Sequence, residues 1–181
     1  MKFPNYTSIL ICFFVLTSCY ESLDFKQLDN FVSKQDFTLA LNYFSLVPSQ
    51  FFSSSGVPES QISDITNIEI FQNENLIIDI VKIDFNTAIK NGFDRDITIT
   101  VEFLNNENAV IYTFTPTSIA SKDLNYRYLE EIEIASNPDI VNTSKVKITV
   151  SLENSGTPLN LNDIAKFEFK SSMTVYVESS F

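Results

Sequence analysis

From position 37 onward, apolar and polar residues alternate with a period of two. In DRDITITVEFLN, Ile97, Ile99, Val101 and Phe103 lie on one side, and Thr98, Thr100 and Glu102 on the other. SKVKITVSLE sets Val146, Ile148, Val150 and Leu152 against Lys145, Lys147, Thr149 and Ser151. AKFEFKSSMTVYVES sets Phe167, Phe169, Met173, Val175 and Val177 against Lys166, Glu168, Lys170, Thr174 and Tyr176. Successive side chains of a strand point to opposite faces, so these segments predict strands with one buried and one wet face. Phe37, Leu39, Leu41 and Tyr43 predict an earlier strand of the same kind. Asp79, Val81, Ile83 and Phe85 predict another, with Ile78 and Ile80 apolar on its opposite face, as in a central strand or one covered by a loop. Val110, Tyr112 and Phe114 close a hairpin on the 96–104 strand through Asn105-Asn106-Glu107-Asn108, where asparagine tolerates left-handed backbone angles.

The rhythm breaks at SNPDIVNTSK, where Ser136 is placed to cap a short helical turn with Pro138 at its start. Leu159 to Ala165 suggests another turn. FFSSSGVPESQISD, Phe51 to Asp64, is the longest irregular stretch, with a flexible Ser53–Gly56 centre. About seven or eight strands, polar outer faces and one or two short helical turns predict an all-β, antiparallel β-sandwich over residues 35–181.

The front of the chain reads differently. ILICFFVLTSCYES is an apolar run, Ile9 to Leu16, behind one charge, Lys2, and it ends at Cys19. The run is shorter than the roughly 20 residues that span a bilayer, and its layout is that of a secretory signal. Leu16-Thr17-Ser18-Cys19 resembles the lipobox of bacterial lipoproteins. The resemblance implies that Cys19 is alkylated with diacylglycerol and that a peptidase cuts between Ser18 and Cys19. Residues 1–18 are then a signal peptide, discarded with Cys12, and residues 19–34 a lipidated N-terminus and tether. The competing reading is a buried N-terminal helix, but Ile9–Leu16 has no polar face to support it.

Composition narrows the rest. The mature chain would have 163 residues (181 less 18), enough for one domain with a real core. Cys19 would be its sole cysteine, so no internal disulfide can form. The whole chain carries a formal charge of -11. Such an acidic protein is a poor nucleic-acid binder and is repelled by anionic headgroups, which leaves lipid as the membrane anchor. There is no histidine and no tryptophan, which removes the usual general base, the commonest metal ligand and a favoured sugar platform.

KIDFNTAIKNGFDRDITITVEFLNNENAVIYTF resembles the strand rhythm of immunoglobulin-like domains in bacterial envelope lipoproteins. With the lipobox and the acidic, Asn-rich β region, the chain resembles uncharacterised lipoproteins of the Bacteroidota. That resemblance implies a cell-envelope location, attachment to the outer membrane through lipid, and no assigned activity. An acidic run after the lipid cysteine would resemble a surface-export signal there, but only Glu21 of Tyr20-Glu21-Ser22-Leu23-Asp24 is close enough, so which leaflet the chain faces stays open.

Candidate chemistry is thin. Glu131 and Glu133, beside Glu130, would share a strand face and could act as an acid–base pair or hold Ca²⁺; with no nucleophile, arginine clamp or glycine-rich loop nearby, a solvated strand face is the reading preferred. Asn91, Asp94 and Asp96 in KNGFDRD loosely resemble Ca²⁺ ligands, but lack the loop glycine and bidentate glutamate, and a polar turn explains them. Ser121-Lys122 and Ser144-Lys145 are adjacent turn residues rather than a catalytic pair. No catalytic residue, metal site or cofactor is expected. Exposed Phe51 and Phe52 would be anchors for a partner, unless both tuck under the sandwich edge. Tyr126 and Tyr128, with Tyr112, would be glycan contacts if they cluster at loop tips. The expectation is a non-enzymatic binding or scaffolding module of an outer-membrane complex. Its rival is a surface adhesin or glycan-binding lipoprotein.

Overall fold

The computed structural model describes residues 32–73 and 77–180, so the expected signal peptide, Ser18, Cys19 and most of the tether lie outside the described residues. Nine strands form: β1 Val32–Leu46, β2 Gln61–Asn67, β3 Ile80–Asn91, β4 Ile97–Leu104, β5 Val110–Thr113, β6 Thr117–Ile119, β7 Tyr126–Glu133, β8 Lys145–Leu152 and β9 Phe167–Ser180. One sheet has the order β1-β9-β3-β7, the other β2-β8-β4-β5, with β6 also on β4. β5 and β6 share one flank of β4, pairing with Glu102–Leu104 and Ile97–Ile99 respectively. The paired registers run antiparallel throughout. Ser33–Ser179 make up one compact unit.

The expected antiparallel sandwich therefore forms, and the described residues include three short 3-10 turns, Pro48–Phe51, Ile70–Gln72 and Pro138–Asn142. Its winding is not the immunoglobulin one, in which several sequential strands pair within a sheet. Here β4, β5 and β6 stay together, and every other connection crosses between the sheets. With β5 and β6 read as one interrupted strand, that is the order of a jelly roll.

The core follows the alternation. Ile97, Ile99, Val101 and Phe103 of β4, Val146, Ile148 and Val150 of β8, and Phe167, Phe169, Met173, Val175 and Val177 of β9 are all buried. Phe85 of β3 bridges the sheets, with ring centroids 6.2 Å from Phe103 and 4.8 Å from Phe114. Burying one such side chain stabilises by roughly 1.5–3 kcal/mol. β3 is central, between β9 and β7, as its doubly apolar start suggested. A register irregularity between Ile80 and Lys82 turns Ile80 into the core, while Ile78 stays 81% exposed.

Several local expectations fail, and Phe37 and Val110, read as inward-facing, are exposed. Tyr43 is 66% exposed, and Phe44 takes the inward position, stacked 5.1 Å from Phe169. Between Leu41 and Phe44, β1 shifts its inward parity by one residue, with buried Asn42 at the shift donating its backbone N–H to Ser171 Oγ. The stretch Phe51–Asp64 is not irregular throughout: β2 begins at Gln61, and Ser53–Val57 closes as a turn held by Ser53 N–H to Val57 O at 2.8 Å and Gly56 N–H to Ser53 O at 2.9 Å. Asn137, not Ser136, precedes the Pro138–Asn142 turn, and no side chain caps it. The Asn105–Asn108 turn forms as read, with Asn108 at φ 64.

The β3–β4 crossover is fixed by Asn91, which is wholly buried. Its Nδ2 donates to the carbonyls of Arg95 (2.9 Å), Ala120 (3.0 Å) and Ile119 (3.3 Å), and its Oδ1 accepts the Phe93 N–H at 3.0 Å. Gly92 follows because a Cβ there would meet Lys166 O at 2.5 Å. Asn91 is thus a backbone brace, not a cation ligand. Replacing it by alanine strands several buried carbonyls, so Asn91→Ala should cost about 2–4 kcal/mol in urea unfolding. A loss under about 0.5 kcal/mol, the size of a neutral surface change, would refute the brace.

Candidate functional site

All loops at one end of the sandwich gather around the start of β4. Residues 93–97 alternate buried, exposed, buried, exposed, buried. Phe93, Arg95 and Ile97 are thus the buried positions of the bend that leads into β4. Phe93 packs edge-on against Phe51, centroids 6.1 Å apart. Arg95, one step nearer β4, lines a cleft of about 330 Å³. One wall is the β1–β2 loop, with Phe52, Pro58 and Glu59; the other is the β8–β9 connection, with Glu153, Pro158 and Leu159. Both walls are tied to the frame: Leu152 N–H donates to Ser60 O (2.8 Å), and Glu153 N–H to Asp96 O (3.0 Å).

Arg95 is 8% exposed. Its Nη2 donates to Thr157 O at 3.2 Å. Its Nε lies 3.6 Å from an oxygen of exposed Asp94, too far for a hydrogen bond, and has no hydrogen-bond partner. Burying a guanidinium with so little compensation is costly. Neither Glu59 nor Glu153 pairs with it among the described residues; Glu153 instead accepts from Thr98 Oγ1 at 3.0 Å. Sequence reading passed over Arg95, because a single arginine between two aspartates looks like a solvated turn.

The residues singled out from sequence fall in different places. Phe51 is completely buried and cannot contact a partner; Phe52 is half-buried and lines the cleft. Asp96 Oδ1 accepts the Ser121 N–H at 2.8 Å, a turn contact. No cluster of metal-ligating residues occurs among the described residues. Tyr126 and Tyr128 are not at loop tips: both are half-buried on β7. Tyr112 and Tyr128 converge on Glu130, Tyr112 Oη donating to one carboxylate oxygen at 2.9 Å and Tyr128 Oη to the other. Glu131 and Glu133 share the outward face of β7, and Glu131 forms an ion pair with Lys82 at 2.5 Å. Lys82 also meets Asp84 at 3.0 Å, and Asp84 accepts from Tyr176 Oη at 2.8 Å. The hydrogen bonds that Lys82 donates to Glu131 and then to Asp84 hold its ammonium well above the ordinary pKa.

Two other depressions hold less. One of about 430 Å³ lies on the outer surface of the β1-β9-β3-β7 sheet, over Asn86, Ala88, Leu129 and Lys170, with no buried charge. One of about 740 Å³ sits at the opposite end, beside Asn105–Glu107 and Asp139.

No protein-family model matches the chain, and no curated protein does. Solved structures align with it at low identity. An infectious bursal disease virus structure (Gx strain) aligns with 80% of this chain at 14% identity and TM-score 0.44. "A putative secreted protein" from Parabacteroides distasonis aligns with 64% at 14% identity and TM-score 0.47. A tailspike protein of bacteriophage CBA120 aligns with 82% at 9% identity and TM-score 0.34. The chain spans 33%, 38% and 19% of those chains respectively.

The Tyr112–Glu130–Tyr128 cluster has a measurable signature. Burial first, then the hydrogen bond to Glu130, pushes the Tyr112 phenol up from 10.0 to about 12, and the same causes raise Tyr128. A raised folded-state pKa favours the protonated form. Its stabilisation is complete below pH 10.0 and disappears as pH climbs through about 12. An ultraviolet phenolate titration should show late-ionising tyrosines, reduced by Tyr112→Phe. If all tyrosines ionise together near the ordinary value, the clamp does not exist in solution.

Proposed function

We propose that this chain is a lipid-anchored lipoprotein of the bacterial envelope, whose sandwich is a non-enzymatic binding module of an envelope complex. The observation that carries this reading is the course of β1. It starts at Val32, next to the expected tether, and runs 15 residues to Leu46, at the cleft end. At about 3.3 Å per residue, that separates chain entry from the cleft by roughly 50 Å. A tether from Cys19 would therefore enter the sandwich at the end away from the cleft and its loops. The same loops expose Val57 (58%), Leu161 (49%) and Ile164 (86%), apolar groups suited to a protein partner.

The glycan reading needs open tyrosine faces, whereas Tyr112 and Tyr128 spend their hydroxyls on Glu130. The acid–base reading needs a free carboxylate pair, whereas Glu131 is paired with Lys82. Both observations favour a protein-binding module over those alternatives.

Two measurements test the proposal. Cys19→Ala should move the protein from the membrane fraction to the soluble one; an unchanged distribution would reject lipid anchoring. A photoreactive residue at position 164 should cross-link to an envelope protein in cells, while one at position 107, at the opposite end, should not. Equal cross-linking from both ends, or from neither, would reject binding through the cleft end.

A further inference from the structure

From the charges lining the Arg95 cleft we infer that it binds a zwitterion, a free amino acid or dipeptide with an apolar side chain. This rests on the proposed binding role of that end and names the ligand the cleft itself would take.

The argument starts from the buried cation. The Arg95 side chain is more than nine-tenths buried, lines the cleft, and leaves Nε without a hydrogen-bond partner. Nη2 makes one bond, to Thr157 O, and Nη1 makes none among the described residues. A guanidinium presents its donors as a planar fork that matches a carboxylate in two parallel bonds. Nε is sealed beside the Asp94 carboxylate at 3.6 Å, so a ligand carboxylate would meet the guanidinium at its Nη end.

The rest of the lining rules out a simple anion. Glu59 and Glu153 stand exposed in the same cleft, and Asp94 and Asp96 flank Arg95 in sequence. A bare carboxylate would meet more negative than positive charge there. A ligand with an ammonium group beside its carboxylate meets Arg95 with one and Glu59 or Glu153 with the other. Phe52, Leu152 and Leu159 supply apolar surface for a side chain. About 330 Å³ lies at the small end of the range for ligand pockets, which suits one or two residues and not a longer chain. The cleft is also built in advance. The Ser53–Val57 turn closes one wall, and Gly156, at φ 72, turns the other, with its N–H on Asn154 Oδ1 at 3.0 Å.

The test is calorimetric titration of the full chain in detergent with L-leucyl-L-phenylalanine, its C-terminal amide and its N-acetyl form. The free dipeptide should bind saturably, and each blocked form at least tenfold more weakly. Arg95→Met should abolish the preference for the free carboxylate. Glu59→Gln with Glu153→Gln should abolish the preference for the free amine. Because Arg95→Met could fail to fold, the two blocked ligands probe the same contacts on the unaltered protein. Equal binding of the dipeptide and its N-acetyl form would overturn the zwitterion in favour of a plain carboxylate site. No binding of leucine or of any of the three dipeptides would overturn the inference entirely. That failure leaves cross-linking at position 164 intact, so it is distinguishable from failure of the binding-module reading.

Discussion

The amide of Asn91 is the contact on which both fold and cleft depend. It sits where β3 leaves one sheet and the chain crosses to β4 in the other, with no regular ladder to satisfy the carbonyls of the crossover. One side chain answers three of them, from Arg95, Ile119 and Ala120, and takes the Phe93 N–H in return. That joins the β3–β4 crossover to the end of β6. Since one of those carbonyls belongs to Arg95, the brace also sets the backbone from which the buried guanidinium projects. Buried backbone groups must find partners somewhere, and here a single residue supplies them at the point of greatest need.

The winding explains why the cleft can be rigid without a disulfide. Almost every connection passes from one sheet to the other, so the sheets cannot part without dragging several loops across the core. Phe85, Phe103 and Phe114 fill the space between them, and Phe51 with Phe93 seals the cleft end beneath Arg95. The loops above are arches on a packed floor, and the two that wall the cleft, Leu46 to Gln61 and Leu152 to Phe167, are long ones. Their shape is set by the strand ends that they join and by turns such as Ser53–Val57, which carry their own hydrogen bonds.

What could be read from sequence was what repeats locally. β4, β8 and β9 announced themselves because their buried and wet faces alternate without error. β2 was hidden: its apolar residues, Ile62 and Ile65, are three apart, and only the first packs on the core, while Ile65 is 51% exposed. β7 was obscured because Glu130 occupies an inward position, an anomaly resolved only by tyrosines on two strands. Arg95 was illegible for a related reason. Its burial depends on the 153–159 segment, some sixty residues further on, and no local pattern encodes that encounter. Phe51 and Phe52 read as one anchor pair, yet neighbouring side chains diverge, and one entered the core while the other stayed at the cleft.

β1 lies at the edge of its sheet and is held along its length by β9: Lys34 meets Glu178, Thr38 meets Thr174, and Phe44 stacks on Phe169. A domain held at the start of this strand and loaded at the far end feels tension along the strand axis. Antiparallel ladder bonds run across that axis, so they are sheared together and not peeled one by one. On the proposed reading, the strand leading from the anchor is also a mechanical stay, oriented to resist a pull between the membrane and whatever the distal loops hold.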